Sequence, residues 1–285
     1  IAAGDIMFRK GVAPINLNKF VPGFDIVGRV EDAGSGDLKQ YLRKRVLGLV
    51  MTGGYSEYVY ANEEQLVIIP DDVDPVKTVS LGLNYTTALG ILSFIREGAL
   101  FFQGLSGGLG TALLDITKNY SIDVWGSTSE KTISFVESYG AKTFDYNDSK
   151  MVDTLKIEKP EGFDLVVDPF GGKRKKNVKQ LVKKNGKLIG IGYSGDSTIE
   201  YLLNRFSYSL ANSVDRYRNY TFFSVVEMQV RKPNWIRKQM ETAVKMYLSN
   251  QLDPVIADTF KWKDAGKAHA RLAGGGVVGK LVLTM

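Results

Sequence analysis

The chain has 285 residues, 44% hydrophobic and 24% charged, a balance that suits about two folded domains at roughly 150 residues each and excludes a disordered polymer. It has no cysteine and a single histidine, His269, so disulfides, thiol nucleophiles and cysteine-based metal centres are excluded, and a Ser-His-Asp triad has no support. The net charge of +6 is densest at Lys173, Arg174, Lys175, Lys176, Lys179, Lys183, Lys184 and Lys187; we read these as a solvated helix face near a cofactor phosphate, with nucleic acid as the alternative.

From Ile1 to about Pro70, glycine-rich sequence carries short β-type runs over 24–31, 45–50, 55–60 and 66–69, an irregular β-rich region. Beyond Leu81 the pattern changes to helices alternating with short, continuously apolar strands, as a parallel sheet covered on both faces requires. Strands are predicted over 99–103, 122–126, 142–144, 163–167, 187–191 and 220–225, and helices over 108–119, 129–139, 149–157, 173–184 and 199–211, with Gly140 and Gly186 at helix C-caps. Six such strands suit a doubly wound α/β sheet. A helix over 232–249, with Pro233 in its first turn, precedes β-type segments over 254–260 and 279–283. The charge-free stretches 78–95 and 98–114 contain Gly, Asn, Ser and Thr. They read as core rather than membrane spans, and with no leader-like segment a cytoplasmic location without integral membrane association is expected.

The most informative stretch is 98–126, an apolar strand, then Gly104, Gly107 and Gly110, a helix and a second strand. Glycines here let a pyrophosphate rest on bare N–H groups at a helix N-terminus, where the macrodipole favours negative charge; Gly108 and Leu109 lie at that approach and Ser106 can add a hydroxyl. An NAD site places an acidic residue at the end of the second strand to hold the ribose 2′-hydroxyl. Here Ser127, Thr128 and Ser129 stand there, followed by Glu130 and Lys131. The uncharged strand end and Lys131 favour a 2′-phosphate and hence NADP(H); Glu130 pulls the other way.

Residues 22–30 (PGFDIVGRV), 53–59 (GGYSEYV), 84–88 (NYTTA), the glycine turn, 163–172 and the closing GKLVL at 279–283 together resemble the medium-chain dehydrogenase/reductase superfamily, in particular its zinc-independent quinone oxidoreductase-like branch. The resemblance spans the chain and implies a Rossmann domain inserted in a GroES-like β-rich catalytic domain. It divides the chain into 1–84 (catalytic domain, first part), 85–230 (NADP-binding domain) and 231–285 (return to the catalytic domain). Family members begin with further strands, so the catalytic domain is expected to be incomplete at its N-terminus. Zinc-dependent members carry ligands where this chain has Ala2, Phe24-Asp25 and Leu83, so no metal site is expected. His269 is assigned to a surface or interface.

The resemblance further implies cofactor contacts from Lys131 and Tyr146, with Thr87 and Leu109 against the nicotinamide. It adds Asp168 after the fourth strand, Gly190, Ile191, Gly192 and Tyr193 after the fifth, and Phe222 and Phe223 after the sixth. Tyr55, Asn84 and Tyr85 are the candidate catalytic residues, Asn84 as a donor to a developing oxyanion and the tyrosines as proton donors. The expected function is hydride transfer from NADPH to a quinone or α,β-unsaturated carbonyl, in a homodimer. Two alternatives stand beside it: a catalytically weak NADPH-binding sensor or interaction protein similar to the vesicle-protein branch, and RNA binding through the lysine-rich helix.

Overall fold

Strands with continuous apolar runs can be stable only where both faces are covered, and such strands form the centre of the molecule. The computed structural model describes residues 1–12, 20–34, 36–192, 197–215 and 217–285. Its first part comprises helix α1 (Ala3–Arg9) and an antiparallel sheet of β1 (Asp25–Arg29), β2 (Arg45–Leu49) and β3 (Leu66–Ile68), with Asp25 opposite Leu49 and Val46 opposite Ile68. Helix α2 (Pro75–Ser80) starts where the Asp74 side chain accepts from the backbone N–H groups of Val76 and Lys77, a cap reinforced by proline at the first position. It continues through a π-helical turn (Leu81–Tyr85) into α3 (Thr86–Leu92), so the boundary expected between residues 84 and 85 falls inside one helical run.

There follow β4 (Gly98–Gln103), α4 (Gly108–Thr117), β5 (Ile122–Thr128), α5 (Ile133–Glu137), β6 (Lys142–Asp145), α6 (Met151–Glu158), β7 (Phe163–Asp168), α7 (Gly172–Lys179), β8 (Val182–Gly190), α8 (Thr198–Val214) and β9 (Asn219–Phe222). The six strands are parallel in the order β6-β5-β4-β7-β8-β9. That is the doubly wound Rossmann order, whose crevice opens between β4 and β7. Leu100 and Phe102 enter the core on one face and Phe101 the core on the other, which explains why β4 reads as an unbroken apolar run. Beyond α9 (Val225–Arg231) and α10 (Pro233–Leu248), the parallel pair β10 (Ile256–Lys261) and β11 (Lys280–Thr284) flanks α11 (Ala265–Ala273).

Several boundaries differ from expectation. The helix expected to 184 stops at Lys179, and β8 begins at Val182. Gly186 is therefore a strand residue and not a helix cap; a β-carbon there would come 2.8 Å from the Phe163 carbonyl. The helix expected over 129–139 is a 3-10 turn followed by the short α5, while Gly140, with φ of 80°, ends it as expected. No strand forms over 55–60. The strand expected to 225 ends at Phe222 because Ser224 caps α9, accepting from the Glu227 N–H. No helix among the described residues is long and apolar enough to cross a membrane.

Candidate functional site

After β4 the chain turns at Gly104, whose φ of 86° is left-handed and suits glycine. The N–H groups of Gly104 and Leu105 donate to the Ser127 carbonyl at 2.7 and 3.0 Å, which fastens the turn to the end of β5. Gly107 is the N-cap of α4, and no side chain caps that helix, so its N-terminus offers N–H groups and the positive end of its dipole to an anion. A β-carbon on Gly108 would lie 2.5 Å from Asn84 Nδ2 and 3.4 Å from the Gly279 carbonyl. The bare glycine thus lets the Asn84 amide, carried by the π-helical turn, sit directly on the loop. Gly279 donates its N–H to the Ser106 carbonyl at 2.9 Å, pinning the approach to β11 against the same turn. Gly110 packs on the Leu105 backbone, where a β-carbon would collide.

Hydroxyls join the turn to the end of β5. Thr128 Oγ1 donates to Ser106 Oγ at 2.7 Å and lies 2.6 Å from Thr132 Oγ1, which is 3.0 Å from Ser129 Oγ. Ser127 Oγ is buried without a hydrogen-bond partner among the described residues. The Tyr146 N–H donates to the Thr128 carbonyl at 3.0 Å, so the exposed Tyr146 ring stands at the same strand end as the exposed Lys131. Arg174, anticipated only as one member of a solvated basic run, lies over the Tyr146 and Phe170 rings at 5.2 and 4.7 Å, a cation–π arrangement. Phe170 in turn reaches within 3.2 Å of where a Gly104 β-carbon would stand. Nothing in the run of lysines distinguished Arg174; only the aromatic Phe170 at the end of β7 could have hinted at it.

The remaining expected cofactor residues divide into lining and supporting groups. Thr87 Oγ1 donates to the Leu83 carbonyl at 2.6 Å, and Leu109 is partly buried against the core. Asp168 is wholly buried and accepts from Gln103 Nε2, the Phe170 and Gly171 N–H groups and the Tyr208 hydroxyl at 2.9–3.0 Å. Burial raises its carboxyl pKa, and these donors make it the anchor of the loop after β7. Gly190 lies under the Tyr208 ring, Ile191 donates its N–H to the Asp168 carbonyl at 3.1 Å, and the Gly192 carbonyl accepts from Asn204 Nδ2 at 3.5 Å. Tyr193 lies outside the described residues. The Phe223 ring points into the core against Phe94 and Trp235, whereas Phe222 contacts Tyr201 and Tyr208.

Of the three candidate catalytic residues, Asn84 alone has its side chain at the glycine turn. The Tyr85 hydroxyl donates to Asp115 Oδ2 at 2.6 Å, well down α4 from its N-terminus. Tyr55 Oη lies 3.0 Å from His269 Nε2 and 3.4 Å from Asp5 Oδ2. Burial and the neighbouring carboxylates hold both phenols far above their ordinary pKa. His269, expected at a surface or interface, is only 4% exposed because α11 packs its imidazole edge-on to Tyr55; burial, then Arg9, lowers its pKa. Asp25 forms a buried ion pair with Lys280. Among the described residues no group of three or more His, Cys, Asp or Glu side chains could hold a metal ion. With Ala2, Phe24 and Leu83 beside a lysine-paired Asp25, the residues do not fit zinc.

A doubly wound sheet with an uncapped glycine turn at its crevice defines a dinucleotide-binding class of α/β protein. Residues 139–283 match the family model described as zinc-binding dehydrogenase, and the chain belongs to that family, in the quinone oxidoreductase-like branch of the medium-chain dehydrogenase/reductase superfamily. It is 24% identical over 292 residues to a quinone oxidoreductase of Sus scrofa, covering 99% of this chain and 85% of that one. It is 23% identical to a synaptic vesicle membrane protein VAT-1 homolog of Danio rerio, covering 98% of this chain and 61% of the relative. A mycobacterial protein solved in complex with NADPH shares the fold with a TM-score of 0.84 at 20% identity, over 100% of this chain and 88% of that one.

Proposed function

We propose that the protein is an NADPH-dependent, zinc-independent oxidoreductase that delivers hydride to a quinone or an α,β-unsaturated carbonyl compound. The uncapped N-terminus of α4 behind Gly107 and Gly108 carries this reading. The porcine relative's name and the NADPH complex of the mycobacterial neighbour support it. The division into 1–84, 85–230 and 231–285 is part of the same reading.

NADPH when bound supplies the hydride, leaving the protein to orient, polarise and exclude water. The N–H groups of Gly108 and Leu109 receive the pyrophosphate. Lys131 would hold the 2′-phosphate with Ser129 and Tyr146, and Thr87 and Leu109 would lie against the nicotinamide. Asn84 Nδ2 donates to the substrate carbonyl as negative charge develops there. The missing zinc donor set agrees with an acceptor that needs no metal-bound alkoxide.

One observation favours a second reading, a cofactor-binding protein with weak turnover: the hydroxyls of Tyr55 and Tyr85 are engaged away from the glycine turn. Calorimetry with NADPH and NADH, followed by NADPH oxidation across a quinone and enone panel with and without chelator, separates the two. We expect chelator-insensitive turnover. Lys131→Ala should raise the NADPH KM roughly 10–100-fold, the scale of one charged hydrogen bond, and leave the NADH KM nearly unchanged. Equal losses with both cofactors remove the phosphate assignment, binding without turnover selects the second reading, and no heat with either nucleotide ends both.

A further inference from the structure

Two elements flank the glycine turn and meet again at a single carboxylate. On one side the π-helical turn lays the Asn84 amide against Gly108. On the other, at the approach to β11, Gly279 forms an isolated parallel bridge with Gly107 and donates its N–H to the Ser106 carbonyl. Both elements reach Asp25 of β1. Lys280, next to Gly279, forms the buried ion pair with it, each side chain 5% exposed or less. Gly82, in the same π-helical turn as Asn84, lies so close that a β-carbon would stand 2.9 Å from Asp25 Oδ1. The contacts close a ring: Asp25, the turn from Gly82 to Asn84, Gly108, the segment from Gly279 to Lys280, and Asp25 again.

We infer that Asp25 and Lys280 are positioning residues, whose ion pair sets where the Asn84 amide stands over the N-terminus of α4. A buried pair adds little net stability over apolar side chains of the same size, and its best-attested use is to fix registry. Apolar packing would let the π-helical turn and β11 slide past each other, whereas an ammonium against a carboxylate admits a narrow geometry. Asn84 needs such an anchor. Its direction depends on one backbone irregularity: Asn84 faces the glycine turn, while the next residue, Tyr85, reaches Asp115. Thr86 Oγ1, donating to the Leu81 carbonyl at 3.2 Å, ties the turn to itself but not to the glycine loop. A donor to developing charge works only when held within about 0.5 Å of its place. The inference rests on the reading of Asn84 as that donor and assigns the groups that aim it.

Asp25→Leu combined with Lys280→Met removes the pair without leaving a lone charge. In the nucleotide-free protein, amides over 82–86 and at Gly279 should then exchange at least ~5-fold faster relative to those of β4. With the best acceptor of the quinone and enone panel, kcat should fall about 10–100-fold with KM nearly unchanged, the cost of a donor displaced by about an ångström. Asn84→Ala should cost about 100-fold or more in the wild type but under about 3-fold in the double-variant background, where the donor is already misplaced. A merely structural pair gives losses that multiply. Multiplying losses, or unchanged exchange at these amides, overturn the inference and leave the redox reading standing. A wild type that turns over no acceptor removes the redox reading, and the exchange measurement then decides on its own whether the pair holds the turn. Should the double variant not fold, Gly82→Ala replaces it: both charges stay, and the added methyl pushes the turn off the carboxylate. The same local exchange and kcat loss are expected there, and wild-type values for both overturn the inference.

Discussion

Replacing Lys280 by methionine tests the polar centre that joins β11 to β1. The side chains of Lys280 and Asp25 are 2% and 5% exposed, and Asp25 Oδ1 has no hydrogen-bond partner among the described residues. Gly82 closes over that carboxylate; a β-carbon there would lie 2.9 Å from Oδ1. Lys280→Met keeps most of the side-chain volume but leaves a buried carboxylate without its counter-ion, which costs about 3–5 kcal/mol, or roughly 6–20 °C in Tm for a chain of this size. Changing both partners, Asp25→Leu with Lys280→Met, removes the burial cost of both charges and should return to within about 2 kcal/mol of wild type. Urea unfolding and calorimetry on the two single variants and the double variant measure the cycle. If Lys280→Met alone costs less than ~1 kcal/mol, or the double variant is no more stable than it, the pair is not held in a dry environment and the reasoning fails.

His269 has its pKa lowered from 6.5, first by burial and then by Arg9, against the opposing pull of Asp5. Its folded value lies below its unfolded one, so this contribution is fully present above pH 6.5 and is lost as pH falls through 6.5 toward the folded value. Urea midpoints at about pH 7.5 and about pH 5.5 should therefore differ less in His269→Gln than in wild type; equal differences refute the assignment. Gly108→Ala pushes only on the movable end of Asn84, so stability should change by less than about 1 kcal/mol while NADPH affinity falls about 10-fold, read by calorimetry; unchanged affinity argues against nucleotide at this turn. Gly110→Ala instead meets the Leu105 backbone and should cost more than about 2 kcal/mol in the same urea assay.

The parallel sheet and its glycine turn were legible because local sequence carries them: unbroken apolar runs mark strands covered on both faces, and closely spaced glycines mark backbone that must approach something. The side-chain commitments were not. Tyr85 and Asp115 are 30 residues apart, and Tyr55 and His269 are 214 apart, so no local pattern tells whether either hydroxyl faces the crevice or the core. His269 looked isolated for the same reason; its phenol partner, carried by the segment after β2, arrives only when α11 packs beside α1. Arg174 was hidden among chemically equivalent neighbours, and only the position of Phe170 and Tyr146 in space singles it out. The end of the helix expected to 184 was missed because Val182 belongs to a strand whose first residues, Val182 to Asn185, are too polar to announce it.

The contact between Lys280 and Asp25 spans 255 residues. At synthesis speeds of about 5–20 residues per second, β1 waits on the order of 10–50 s for its ionic mate, long enough for the intervening parallel sheet to assemble first. Order of manufacture thus becomes order of folding. Until the last strand is delivered, an acidic group destined for the interior stays wet, and the half-built β region is the part of the nascent chain that chaperones and proteases meet.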